Sequence, residues 1–243
     1  MNYPYPLGRN QNTYDPKDLL LREMILRVPT DIVDMEWDYP GPATDQGVTP
    51  HCVGFAGANF LINLPTFTPQ TNADGDRYYY KSVEYDGNPN SENGSTSRSL
   101  AKTLVFYGAI NAYAFIYDQK TFDFWLRTKG PIICGTNWTE GMFFPDVNYI
   151  IHTTGNVVGG HEYEVNAIRG DDTYGLYRIQ NSWGDGYGDH GAVWIPKKEF
   201  WDNFKYGGDA LTAIELDPVI PLPEPDPEPE KPGCLSKIVG LFK

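Results

Sequence analysis

Residues 53–64, VGFAGANFLINL, form a small-and-apolar stretch of helical length. A helix without a continuous polar stripe has no face to give to solvent, so the rest of its domain must enclose it. A chain of 243 residues, 40% apolar and 21% charged, has the material for one large domain or two lobes. Pro50 forces an extended entry, and the apolar run begins at Val53, so Cys52 falls in the first turn of this helix. The partial positive charge at a helix N-terminus favours a thiolate there. A buried structural thiol is the alternative reading. The other cysteines, Cys134 and Cys234, stand too far apart in sequence to suggest a disulfide framework, which points to a reducing interior.

Residues 1–14 read as a flexible polar leader. Residues 15–28, DPKDLLLREMILRV, read as a helix capped by Asp15, with Pro16 in its first turn and Pro29 just past its end. This helix is expected to pack on the domain through Leu19, Leu20, Met24 and Ile25, or else to cover a groove. Ser97–Tyr107 is another helix, stopped by Gly108. The second half changes character. Short runs rich in Val, Ile, Tyr and Trp, at 131–134, 162–169, 175–180, 192–195 and 210–216, are bounded by Gly and Asp turns and read as strands. Helices first and strands second predict an α+β class with two lobes and a ligand cleft between them.

Whole classes of function drop out. A net charge of −13 repels phosphate backbones, so no nucleic-acid partner is expected. No apolar run is long enough to span a membrane, and the N-terminus lacks the core of a secretion signal, so an intracellular protein is expected. The four histidines, His51, His152, His161 and His190, show none of the paired spacings of a zinc site, and no cofactor is implied. Phosphate-binding glycine loops and the GxSxG elbow of serine hydrolases are missing.

What remains is a set of three motifs in order: DQGVTPHCVGF at 45–55, VVGGHEYEV at 157–165, and QNSWG at 180–184 followed by a glycine-rich turn. Together they resemble the papain-like cysteine peptidases over about residues 29–217, and AVWIPKKEF at 192–200 looks like the bacterial or phage-type branch. The resemblance implies a helical lobe carrying the nucleophile helix and a β-barrel-like lobe carrying His and Asn. It implies that Cys52 is the nucleophile, that His161 exchanges its proton, that Asn181 orients the imidazole, and that Gln46 helps hold the oxyanion. By the same resemblance Trp183 roofs the Asn–His bond. Gly94 offers backbone to a peptide substrate, Ser95 and Thr96 line a specificity subsite, and Gly135 and Gly160 border it.

The departures are specific. Thr49 and Ser91 stand where the family places a bridged cysteine pair, and Val53 follows the nucleophile in place of a common Trp. The Cys–His spacing is shorter than the roughly 130–150 residues of the papain pattern, so loops are trimmed. The 28 residues ahead of the domain are fewer than the usual inhibitory propeptide, which leaves the restraint on activity open. Two other readings stand beside a peptidase of peptide or protein substrates. CHAP-type cell-wall amidases or endopeptidases share the Cys-then-His order but lack NSWG and the Gln46 spacing. A non-catalytic scaffold would have no reason to keep Gln46, Cys52, His161 and Asn181 together.

Residues 218–232, PVIPLPEPDPEPEKP, read as a stiff acidic linker, and 233–243, GCLSKIVGLFK, as a short amphipathic peptide. Leu235, Ile238, Val239 and Phe242 share one helical face. Such a peptide is expected to dock on a larger protein assembly, such as a shell or virion enclosing the chain, rather than on a membrane.

Overall fold

The computed structural model describes residues 3–25 and 33–214. The acidic linker, the C-terminal peptide and Cys234 therefore lie outside the described residues. Helix α1, Cys52–Ile62, is buried along its whole length, as its composition demands. It is enclosed by α2 (Asn72–Tyr85), α3 (Ser97–Phe106) and one face of an antiparallel sheet. The α1–α2 contact depends on Gly54, where a Cβ would come within 2.2 Å of the Gly75 carbonyl oxygen. Thr71 and Asp74 close a capping box that starts α2.

Seven strands make up the sheet among the described residues. They are β1 (Met35–Glu36), β2 (Ala112–Phe115), β3 (Ile132–Thr139), β4 (Val157–Arg169), β5 (Leu176–Gln180), β6 (Ala192–Pro196) and β7 (Asp209–Ile214). Their order is β2-β7-β3-β4-β5-β6, all antiparallel, with β1 on the long strand β4. Helices α4 (Gln119–Thr128) and α5 (Lys197–Phe204) add aromatic residues such as Phe122 and Phe200 to the core on the sheet side. A second core on the helix side joins Val53, Ala56 and Leu100 to Ile133 and Leu211 of the sheet. The α+β architecture, helices beside an antiparallel sheet, is as expected.

The N-terminal region is not. Residues 15–25 form no α-helix, only a single 3-10 turn at Leu21–Glu23, and the rest of the expected helix, 26–28, lies outside the described residues. Tertiary bonds win over local propensity. The Phe115 N–H donates to the Leu19 carbonyl at 2.8 Å, Arg98 grips Asp18, and Leu21 is buried in the core. Nor is the segment before it free. Residues 3–12 form an extended strap across the molecule, and its contacts define the site described next.

Candidate active site

Cys52 is the first residue of α1, and its thiol is buried. The backbone N–H groups of Glu162 and Gly8 favour its ionised form, but burial outweighs them and pushes the thiol up to about 12. Glu162 follows His161 on β4, so the strand that carries the candidate base runs beside the candidate nucleophile.

The His161 ring is held from one side. Its Nε2 lies 2.8 Å from Asn181 Oδ1, and the same oxygen accepts the Ser182 backbone N–H at 2.7 Å. An oxygen that already accepts one N–H fixes the amide orientation, so Nε2 is the protonated nitrogen and donates to it. The other nitrogen, Nδ1, is buried and without a hydrogen-bond partner among the described residues. It is the acceptor that a thiol proton would need. Burial pushes His161 down to about 4, against the opposing pull of Asn181. Burial thus works against the charged form of both groups in this conformation.

An aromatic roof explains that burial. Trp183 stacks on the imidazole at 4.6 Å between centroids, and Trp138 meets the ring edge-on at 4.8 Å. Asn181 stands just past the end of β5, and its N–H donates to the Gly191 carbonyl at 2.9 Å, so the glycine turn fixes its position. Gly191 adopts φ +83°, a conformation that glycine takes without strain.

Gln46 is held through its own oxygen. Ser182 Oγ donates to Gln46 Oε1 at 2.7 Å, and the Gln46 N–H donates to the Ser182 carbonyl at 2.9 Å. The amide Nε2 is thereby turned to the Thr49 carbonyl at 2.6 Å and the Pro6 carbonyl of the strap at 3.4 Å. Sequence reasoning missed Ser182. Its signal was its place between Asn181 and Trp183, where a side chain can reach back to the Gln46 loop.

The strap fills the groove between these groups. Tyr5 stacks on Trp183 at 4.4 Å, and Tyr3 stacks on Phe143 at 5.0 Å. Ser95 N–H donates to the Gly8 carbonyl at 2.9 Å, Asn10 N–H to the Ser95 carbonyl at 2.7 Å, and Arg9 N–H to the Gly160 carbonyl at 3.0 Å. A Cβ at Gly94 would lie 2.1 Å from the Gly8 oxygen, and one at Gly160 would lie 2.3 Å from the Arg9 oxygen. Gly94, Gly160 and the Ser95 backbone thus line the strap, as does Gly135 at the Arg9 side chain.

The polar groups around Gly94 are engaged within the chain. The backbone bonds near Gly94 are made by Ser95, because the Gly94 N–H already donates to Tyr79 Oη at 3.0 Å. Ser95 Oγ donates to Asp86 at 2.6 Å, and Thr96 caps α3 while also bonding Asp86.

The described residues contain no cluster of His, Cys, Asp and Glu able to hold a metal ion, and no helix long and apolar enough to cross a membrane. His51 is engaged instead by Asp76 at 2.7 Å and Glu92 at 2.9 Å. Cys52 and Cys134 are unpaired.

The fold is that of the papain-like cysteine proteases. The chain is similar to xylellain, a cysteine protease from Xylella fastidiosa, with a TM-score of 0.68 over 88% of this chain and 98% of that one, at 17% identity. It is also similar to procathepsin B S9 from Trypanosoma congolense, with a TM-score of 0.55 at 11% identity over 87% of this chain and 82% of that one. Digestive procathepsin L 3 of Tenebrio molitor larval midgut gives 0.50 at 14% identity, over 82% and 75%. No protein-family profile and no curated protein sequence matches the chain.

Proposed function

We propose that the chain is a papain-like cysteine endopeptidase of the bacterial or phage type, acting inside the compartment that makes it. The observation that carries this reading is the half-satisfied imidazole of His161. Its Nε2 is fixed by Asn181, while its Nδ1 is left free on the strand that borders Cys52.

The chemistry follows from those groups. His161 Nδ1 takes the Cys52 proton, and the thiolate attacks the substrate carbonyl carbon. The carbonyl oxygen becomes an oxyanion that accepts from Gln46 Nε2 and from the Cys52 backbone N–H. The C–N bond then breaks, and the imidazolium passes its proton to the departing amine. Water gives a proton to His161 and attacks the thioester, releasing the acid and restoring thiol and imidazole. Asn181 and Trp183 act through His161, one by orienting the ring and the other by excluding water.

In the closed conformation the strap stands where substrate would lie, and burial there disfavours the thiolate and the imidazolium, which agrees with an enzyme at rest. The test therefore opens the strap with Tyr5→Ala and Arg9→Ala in the full chain and follows cleavage of a fluorogenic peptide library. Cleavage that disappears on adding Cys52→Ala is the expected result. Cleavage that persists within tenfold would remove Cys52 from its role.

The C-terminal peptide, proposed on its sequence pattern alone, docks the chain on a larger assembly. Fusing 218–243 to an unrelated protein tests it: a fusion that stays free while the tail-less chain still co-purifies with the host overturns it.

A further inference from the structure

The Arg9 side chain leaves the strap and enters a pocket in the groove wall, where it is buried. Its Nη2 donates to the Gly207 carbonyl at 2.7 Å and is paired with Asp209. Its Nε lies 3.7 Å from Glu162 Oε2, which also accepts from Ser97 Oγ at 2.9 Å. Both carboxyl side chains are buried. The room for this cation comes from Gly135, where a Cβ would stand 2.3 Å from Glu162 Oε2 and 2.4 Å from Arg9 Nε.

Catalysis as proposed uses none of these groups. A pocket of two dry carboxyls and an inward carbonyl is a poor host for an apolar side chain, which would leave Asp209 and the Gly207 carbonyl without the donor they have here. It suits a planar guanidinium: in the strap Nη2 of the fork serves both Asp209 and the Gly207 carbonyl, while Nε, without a hydrogen-bond partner among the described residues, faces Glu162 at 3.7 Å. An ammonium carries the charge but has no such fork.

We propose that Glu162, Asp209 and the Gly207 carbonyl form a specificity pocket that selects peptide substrates bearing arginine, and that Arg9 of the strap is its resident occupant. This rests on the peptidase reading for its substrates, but not for its ligand. The preference falls in the order Arg, Lys, Leu. Gly135 acts as a specificity residue by keeping the pocket empty of its own side chain.

Two measurements on the full chain separate the two claims. The first needs no hydrolysis. The rate of Cys52 alkylation by iodoacetamide, followed by peptide-mapping mass spectrometry, reads how often the strap opens. Arg9→Leu is expected to raise that rate at least tenfold over wild type, with Arg9→Lys between them. Equal rates for Arg9→Leu and wild type would overturn the pocket. The second uses Arg9→Ala chain with a positional peptide library, comparing kcat/KM for Arg, Lys and Leu at each place around the cut bond. At least a tenfold preference for Arg over Leu at one place is expected, and its loss in Asp209→Asn. Cleavage without that preference would overturn the pocket and leave the peptidase standing. No cleavage, with the alkylation order intact, would overturn the peptidase and leave the guanidinium pocket standing. Because the alkylation series changes only the occupant, it does not depend on whether the buried Asp209→Asn variant folds.

Discussion

Two adjacent residues of β4 build two unlike walls. His161 belongs to an aromatic wall with Trp138, Trp183 and Phe143, on which the strap lays Tyr3 and Tyr5. Glu162 belongs to a charged wall with Asp209 and Ser97, into which the strap inserts Arg9. The strand's alternation sends neighbours to opposite faces, so one segment serves both. The aromatic wall holds by apolar area and shape, which tolerate loss gradually. The charged wall holds by desolvated partners, where losing one strands the others. Catalysis is thus expected to depend on the first wall and choice of side chain on the second.

The widest separation between the walls should appear in turnover of the strap-opened chain. His161→Ala is expected to lower kcat by up to roughly 10⁴, the upper end for general acid–base catalysis, with Asn181→Ala costing less. A larger loss in Asn181→Ala would contradict the assigned roles. Gln46→Ala should lower kcat by roughly 10²–10³ with KM little changed, as for a donor needed only in the transition state. A raised KM at constant kcat would instead place Gln46 in ground-state binding.

Closure of the strap sharpens the contrast. Asp209→Asn removes one partner of a buried ion pair, for which about 3–5 kcal/mol is typical. Tyr5→Ala removes a stacking contact worth about 0.5–1.5 kcal/mol beyond its buried area. Cys52 alkylation should be faster in Asp209→Asn than in Tyr5→Ala, and the reverse order would mean that the aromatic end does the holding.

A last contrast is in the pH dependence of stability, where the walls pull in opposite directions. His161, pushed down to about 4, contributes stability that is lost as pH falls from about 6.5 through 4. Glu162, pushed up to about 8 by burial, contributes stability that is lost as pH rises from about 4.5 through 8. Glu164, likewise buried and raised to about 8, adds to the second trend. Between pH 6.5 and 8 the melting temperature should therefore fall with rising pH, and Glu162→Gln should make that slope shallower. An unchanged slope would detach Glu162 from the effect.

The walls also differ in how far the sequence discloses them. Cys52, His161, Asn181, Gln46 and Trp183 sit in motifs whose residue types are restricted by chemistry, and α1 and α3 are readable from apolar content and stop signals. Glu162 and Asp209 are single acids 47 residues apart with no local pattern, brought together only because β3 lies between β4 and β7. The strap reads as a loose leader because its order comes from the groove, through backbone bonds to Ser95 and Gly160. The helix expected at 15–28 fails for the same reason, its polar backbone being claimed by Phe115. Helices α2, α4 and α5 escape notice because their apolar faces are mixed with Tyr, Trp and charged residues.

The most direct test of the central claim, a Cys52–His161 pair lying under the strap, is labelling by a small epoxide that reacts with papain-like thiolates, read by intact mass and peptide mapping. Labelling should fall on Cys52, be slow in wild type, fast in the Tyr5→Ala, Arg9→Ala chain, and absent when His161→Ala is added. Labelling that ignores the strap substitutions, or that survives the loss of His161 undiminished, would contradict the account.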